Sequence, residues 1–238
     1  MTAFDALSLK IRLAGEEICL HPECAMYWPA RRVLFVADVH LGKEHSFGRQ
    51  GFAIPGGISE DTLASLFSLC DMAQAHTLVV LGDFMHCAPR ADESWLAALV
   101  DMLALRPGLA MHIVAGNHDK AEGRLLTDKR IHWHHQSLAM EPFVLQHEPG
   151  RDARAYVLSG HLHPVWHLGG GRRSTLRAPA FWIRPDHAVL PAFGHFTGGL
   201  GISADYQHDR VYVAGDDCVV RIPLSRPRQR SRRAVPDR

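Results

Sequence analysis

The chain has 238 residues, 47% of them apolar and 21% charged, enough for one sizeable α/β domain with a full core. Its 26 basic and 25 acidic residues nearly cancel, so no global field marks a partner. No run approaches the roughly 20 apolar residues of a membrane span, and Met1 to Lys10 shows no basic segment leading into a long apolar one; a soluble, cytoplasmic protein is expected. Histidine is the anomaly, with 17 residues, and points to metal binding or acid–base chemistry. Cys19, Cys24, Cys70, Cys87 and Cys218 have no paired spacing, so reduced thiols are expected rather than a disulfide framework or a zinc finger.

Leu7 to Leu13 alternates apolar and polar residues, the period of a half-buried strand. Gly15 and Glu16 read as a turn, Ile18 to Leu20 as the second strand of a hairpin, and Ala25 to Trp28 as a third strand. Arg32 to Ala37 is a continuous apolar run ending at Asp38, the profile of a strand buried on both faces. Ser59 to Ala75 has helical spacing at Leu63, Leu66, Phe67, Cys70 and Met72, with Ser59 as N-cap. Thr77 to Leu81 is the next buried strand, Asp92 to Leu105 a second helix and Met111 to Ala115 a third buried strand.

The first half therefore reads β–α–β–α–β, with polar residues just past the C-terminal end of each strand. Sites in α/β sheets lie at that edge. From Ser137 onward helical periodicity is absent. Strands are expected at Phe143 to Gln146, Ala155 to Leu158, Thr175 to Ile183, Val189 to Phe193, Val211 to Ala214 and Val219 to Ile222, with Asp216-Asp217 as a hairpin turn. A second, mixed or antiparallel sheet packed on the first is the natural reading. Gly169 to Arg173 reads as a flexible surface loop. Residues 225–238 carry Arg226, Arg228, Arg230, Arg232 and Arg233 with almost no apolar content; disorder is expected there.

Five stretches follow apolar, strand-like runs: Asp38-Val39-His40, Gly82-Asp83-Phe84-Met85-His86, Gly116-Asn117-His118-Asp119, Leu145-Gln146-His147-Glu148 and Gly160-His161-Leu162-His163. Singly, each is weak. Asp-x-His and Gly-Asp are common, and a lone His is more often a surface or satisfied core residue than a ligand. The ordered set is what counts. A dinuclear site needs oxygen donors and neutral imidazoles converging on two ions roughly 3.5–4 Å apart. Asp38 and His40 lie two apart, so on leaving a strand both point to one side. His161 and His163 repeat that spacing, Asp83 is placed to bridge, Asn117 offers an amide oxygen and His147 another imidazole.

In order and spacing these stretches resemble the calcineurin-like metallophosphoesterase superfamily, over about Val33 to Pro164. Further segments are similar to the bacterial ligase-associated DNA damage response endonucleases. They are Asp38 to Glu44, Ile54-Pro55-Gly56-Gly57, Gln146-His147-Glu148-Pro149, Leu190 to Gly194 and Phe196-Thr197-Gly198-Gly199. The resemblance implies an α/β fold over residues 1–224, with two packed mixed β-sheets flanked by helices in a four-layer αββα sandwich. It implies two divalent metals, Mn²⁺ being the expected ion. Asp38, His40, Asp83 and His163 would hold the first, and Asp83, Asn117, His147 and His161 the second. His118 would be the general acid, with Asp83 and Asn117 completing the catalytic set. A imidazole can protonate a leaving alkoxide near neutral pH. The implied substrate is single-stranded DNA in a repair setting, with a ligase, a helicase and an exonuclease as functional partners. A hydrolase of small phosphodiesters or nucleotides is the alternative. A non-catalytic scaffold of the same fold would have lost ligands, and the set here is complete.

The remaining polar residues divide evenly or lean to bland roles. Lys43 and Arg49 could touch substrate phosphates or belong to a solvated loop. His86 could support a ligand by hydrogen bonding. His45 and His195 are near-site residues at most. His132, His134 and His135 read as a polar loop or an edge strand. The arginines of the C-terminal stretch suit nucleic-acid phosphates, with a solvated tail as the default reading.

Overall fold

The computed structural model describes residues 3–119, 126–169, 176–194 and 197–225. Its first sheet contains seven strands, β1 (Leu9–Leu13), β2 (Glu16–His21), β3 (Ala25–Trp28), β4 (Val33–Val36), β5 (Thr77–Leu81), β6 (Ala110–Val114) and β7 (Ile131–His134), in that spatial order. β1 to β4 pair antiparallel, and β4 to β7 pair parallel. The helices are α1 (Ala3–Leu7), α2 (Lys43–Arg49), α3 (Ile58–Met72) and α4 (Ser94–Ala104). Among the described residues, none is long and apolar enough to cross a membrane.

The second sheet holds β8 (Ser137–Met140), β9 (Phe143–Gln146), β10 (Tyr156–Ser159), β11 (Pro164–Leu168), β12 (Leu176–Ile183), β13 (His187–Val189), β14 (Leu200–Gly201), β15 (Arg210–Ala214) and β16 (Val219–Ile222). Their order is β14-β11-β12-β13-β10-β9-β8, with β15 and β16 added through β12. β10 runs parallel to β9 and β13, and most other pairs are antiparallel. Both sheets are therefore mixed, as expected.

Period-two alternation explains why the two sheets stack. In β4, Leu34 and Val36 face α3 and α4, packing with Leu63, Leu66, Trp95 and Leu99. Val33 and Phe35 face the other way, joining Phe143, Leu158 and Phe181 of the second sheet. β5 repeats this with Leu78 and Val80 against Val79 and Leu81. A run buried on both faces can tolerate no polar residue, hence its unbroken apolar composition. Phe35 is fully buried between the sheets. We expect Phe35→Ala to cost about 3–5 kcal/mol and to lower the melting temperature by about 10 °C. Thermal unfolding by circular dichroism measures this, and a shift under about 2 °C would contradict the core assignment.

Several expectations need correction. Leu7 ends α1 rather than opening a strand, and β1 begins at Leu9. Ser59 is not the N-cap of α3: Gly57, in left-handed backbone, precedes Ile58. Ser59 Oγ instead accepts from the Gly42 N–H and donates to Glu44. The same helix stops at Met72 rather than running to Ala75. Gln74 is left-handed, Ala75 N–H returns to the Cys70 carbonyl and Gln74 N–H to that of Asp71, a Schellman ending. Lys43 and Arg49 lie on α2, not in a loop. The strand expected at Val189 to Phe193 is centred earlier, on His187–Val189. β8 and β11 carry too little alternation to be anticipated. His132 and His134 lie on an edge strand, stacked on His112 of β6. Asp216-Asp217 lies in the β15–β16 hairpin turn. The loop at 170–173, His195 and the arginine-rich stretch fall outside the described residues. All five cysteines are free thiols.

Candidate metal centre

The five stretches converge where β4, β5, β6, β9 and β10 end. The first two are knitted together by backbone. Asp38 N–H donates to the Gly82 carbonyl, His40 N–H to that of Asp83, and His86 N–H to that of Leu41. Asp38, His40, Asp83, His161 and His163 all have positive φ, between 46° and 70°. Five non-glycine residues in the left-handed region represent stored backbone strain. The side chains thus converge through tight left-handed turns. The strand alternation expected for Asp38 and His40, and for His161 and His163, is not what aims them.

Two donor groups result. Asp38, His40 and His163 form one, and Asp83, His147 and His161 the other. In the first, His40 Nε2 and His163 Nε2 are 3.3 Å apart, and His163 Nε2 is 3.5 Å from Asp38 Oδ1. In the second, His147 Nε2 lies 3.0 Å from His161 Nδ1, 2.9 Å from Asn117 Oδ1 and 3.6 Å from Asp83 Oδ2. Asp83 Oδ2 is also 3.9 Å from His40 Nε2, so it faces both groups.

Backbone carbonyls set the tautomers. His147 Nδ1 is 3.2 Å from the Leu81 carbonyl, His163 Nδ1 3.1 Å from that of Gly198, and His118 Nδ1 2.8 Å from that of His86. A carbonyl only accepts, so each Nδ1 carries the proton and each Nε2 presents a lone pair. In the second group the His147 lone pair therefore meets the Asn117 oxygen and the Asp83 carboxylate with no proton between them. Lone pairs face one another at such distances where a cation belongs. The set of three oxygen-bearing and four imidazole side chains fits a pair of divalent metals. Electrostatics agrees. Burial, then the neighbouring His163 and His118, holds His40 far below the ordinary imidazole pKa, so it is neutral and ready to ligate. Burial raises Asp38, opposed by His163 and His147. His161 N–H donates to both Asp38 oxygens, at 3.1 and 2.9 Å.

The glycines of the motifs are required sterically. A Cβ on Gly82 would collide with the His147 ring and one on Gly116 with Asp83, while one on Gly160 would lie 2.6 Å from Asp38 Oδ2. Asp119, the last residue of the third stretch, locks two loops together. It is 1% exposed and accepts from the N–H groups of Phe84, Met85 and Gly116 at 3.2, 2.9 and 2.9 Å. Burial pushes its carboxyl up to about 6 despite those donors. We expect Asp119→Ala to strand these buried N–H groups, each worth roughly 1–3 kcal/mol. Melting should fall by about 5–15 °C together with metal affinity. Unchanged melting and metal content would contradict the locking role.

The segment Leu190 to Gly194 also acquires a reason. Phe193 N–H donates to the Ala37 carbonyl and Gly194 N–H to that of Asp38, which supports the first ligand turn from below. Gly198, four residues on, orients His163. Neither contact could be read from spacing.

His86 touches His118 by its carbonyl and by ring stacking at 5.2 Å, and His40, His86 and His118 form a third group able to hold a metal. Arg49 pairs with Glu93 at 2.8 Å and reaches Cys87. His45 Nε2 sits 4.0 Å from Glu44. His118 N–H donates to Asp83 Oδ1 at 2.9 Å. Asp38, His40, Asp83 and His147 are buried, whereas Asn117 is exposed and His118, His161 and His163 are partly so. The centre therefore opens to solvent on one side.

Fold and donor groups together define a phosphoesterase class. The chain belongs to the calcineurin-like phosphoesterase family, whose model matches residues 31–178. It is a metal-dependent phosphoesterase enzyme. Among solved structures, it is similar to the Pseudomonas putida nuclease MPE, at 38% identity. That match covers 87% of this chain and 97% of the other, with a TM-score of 0.76. A protein of unknown function from Aquifex aeolicus, AQ665, matches at 17% identity over 60% of this chain and 81% of its own, with a TM-score of 0.36. No curated protein matches by sequence.

Proposed function

We propose that this enzyme is a Mn²⁺-dependent phosphodiesterase that cuts single-stranded DNA internally, in the cytoplasm and in a repair setting. A ligase, a helicase and an exonuclease would be its functional partners. The observation that carries the hydrolytic part is the pair of adjacent donor groups, with Asp83 Oδ2 facing His147 of one and His40 of the other. Similarity to a nuclease supports a nucleic-acid substrate, and the solvent-open rim at Asn117 and His163 suits a polymer better than an enclosed pocket would.

In this reading Asp38, His40, Asp83 and His163 hold one ion and Asp83, Asn117, His147 and His161 the other. Such ions supply charge to polarise phosphoryl oxygens and lower the pKa of water that serves as nucleophile. The chain's own part is to hold the donors in strained turns, so no reorganisation is needed when charge develops. His118 protonates the leaving oxygen. Its ring is held by Nδ1–H on the His86 carbonyl and its backbone by N–H on Asp83 Oδ1, and Nε2 carries the transferable proton in the imidazolium form.

The experiment is a cleavage assay comparing circular single-stranded DNA, duplex DNA and bis-p-nitrophenyl phosphate with Mn²⁺, Mg²⁺ or chelator. Internal cuts in the circle that depend on Mn²⁺, with duplex slower, are expected. A higher kcat/KM on the small diester than on any DNA would move the reading to a small-molecule hydrolase.

A further inference from the structure

Beside the donor groups, Val39, His40, Lys43, Phe47, Ile54 and Pro55 line a cleft of about 260 Å³. Its walls are mainly apolar, and Ile54 stays 37% exposed and neighbouring Phe52 60% exposed. Large apolar side chains held open to water beside a catalytic centre mark a contact surface. Polar groups on the wall are engaged with one another. Glu44 accepts from the N–H and Oγ of Ser59, and Thr62 donates to the Ile58 carbonyl.

We propose that this cleft holds one unpaired nucleobase of a strand whose phosphate lies at the donor groups, a proposal that rests on the phosphodiesterase reading above. Four observations support that occupant. The volume falls short of the roughly 300–1,000 Å³ of drug-sized ligand sites, and suits one flat ring system. His40 belongs to both the cleft wall and the first donor group, so a base in the cleft and a phosphate at the centre can belong to neighbouring parts of one strand. Lys43 Nζ sits 5.9 Å from the Phe47 ring centroid, placing a cation where an apolar occupant carries a polyanionic backbone. Finally, rings lead from the cleft to the general acid. Phe47 lies 5.7 Å from His86, and His86 stacks on His118 at 5.2 Å.

Specificity follows from the wall. Glu44, Ser59 and Thr62 are turned to partners of their own, so contact on that wall is by stacking and apolar packing, which every base can supply. The cleft would accept any sequence and reject a base held in a duplex, since entry requires unstacking.

The test uses the full chain with Mn²⁺ and two ten-residue strands, oligothymidylate and the same backbone built from abasic tetrahydrofuran units. Bis-p-nitrophenyl phosphate is a third, base-free substrate. One stacked base contributes roughly 5- to 150-fold, so the wild-type kcat/KM ratio of thymidylate to abasic strand should fall in that range. Phe47→Leu and Ile54→Ser should each move the ratio toward one. Reading a ratio cancels any loss of folded or metal-loaded enzyme. A wild-type ratio near one, or a wild-type ratio retained by both variants, overturns the cleft assignment. If bis-p-nitrophenyl phosphate is also inert, the underlying phosphodiesterase reading fails and takes the cleft with it.

Discussion

Asp83→Asn is expected to lower Mn²⁺-dependent phosphodiester hydrolysis by at least about 10³-fold, roughly 4 kcal/mol of transition-state stabilisation. The two carboxylate oxygens have separate duties. Oδ1 accepts the His118 N–H at 2.9 Å, and an amide oxygen could replace it there. Oδ2 looks toward His147 Nε2 at 3.6 Å and His40 Nε2 at 3.9 Å. In the variant an NH₂ group would occupy that point and offer protons where the site offers lone pairs. Two neighbouring cations would also lose the anion between them, and mutual repulsion at such separations is large. Metal content should fall below two ions per chain while the far-ultraviolet spectrum is preserved. Two bound ions with near-normal turnover in Asp83→Asn would remove Asp83 from the bridge.

His118→Ala should separate metal binding from chemistry. His118 lies outside the two carboxylate-bearing donor groups, and its Nδ1–H is spent on the His86 carbonyl. Both ions should remain. Hydrolysis of DNA, whose leaving alkoxide needs a proton, should slow by about 10²–10⁴-fold. With bis-p-nitrophenyl phosphate the loss should shrink, because p-nitrophenolate leaves without protonation. An equal loss on both substrates would contradict the acid role. Loss of one ion would instead assign His118 to the group it makes with His40 and His86.

What the sequence discloses and what it hides have physical causes. β4 and β5 are legible because both of their faces are buried, which forces an unbroken apolar run. The candidate ligands are legible because their types and order are unusual together. Local geometry was not legible. Asp38 and His40 point the same way because both are left-handed, a conformation that residue identity disfavours and only the surrounding contacts impose. α2 carries no apolar stripe. It is held through Glu44, buried and hydrogen-bonded to Ser59 fifteen residues on, a contact no spacing rule contains. Asp119 and Gly198 stand in the quoted stretches, but their partners are reached through backbone groups, the N–H donors around the Asp119 carboxylate and the Gly198 carbonyl itself, so sequence alone could not show what they hold. His112 carries no signal in the sequence because it lies inside a strand, and its stacking with His132 and His134 depends on the parallel register of β6 and β7.

The position of bound divalent ions decides between a shared-carboxylate centre and any other arrangement. Crystals grown with Mn²⁺, with anomalous differences collected at the manganese edge, would locate them without reference to activity. Two peaks about 3.5–4 Å apart are expected, one against Asp38, His40 and His163, the other against Asn117, His147 and His161, with Asp83 touching both. A single peak, or density confined to His40, His86 and His118, would contradict the shared-carboxylate centre.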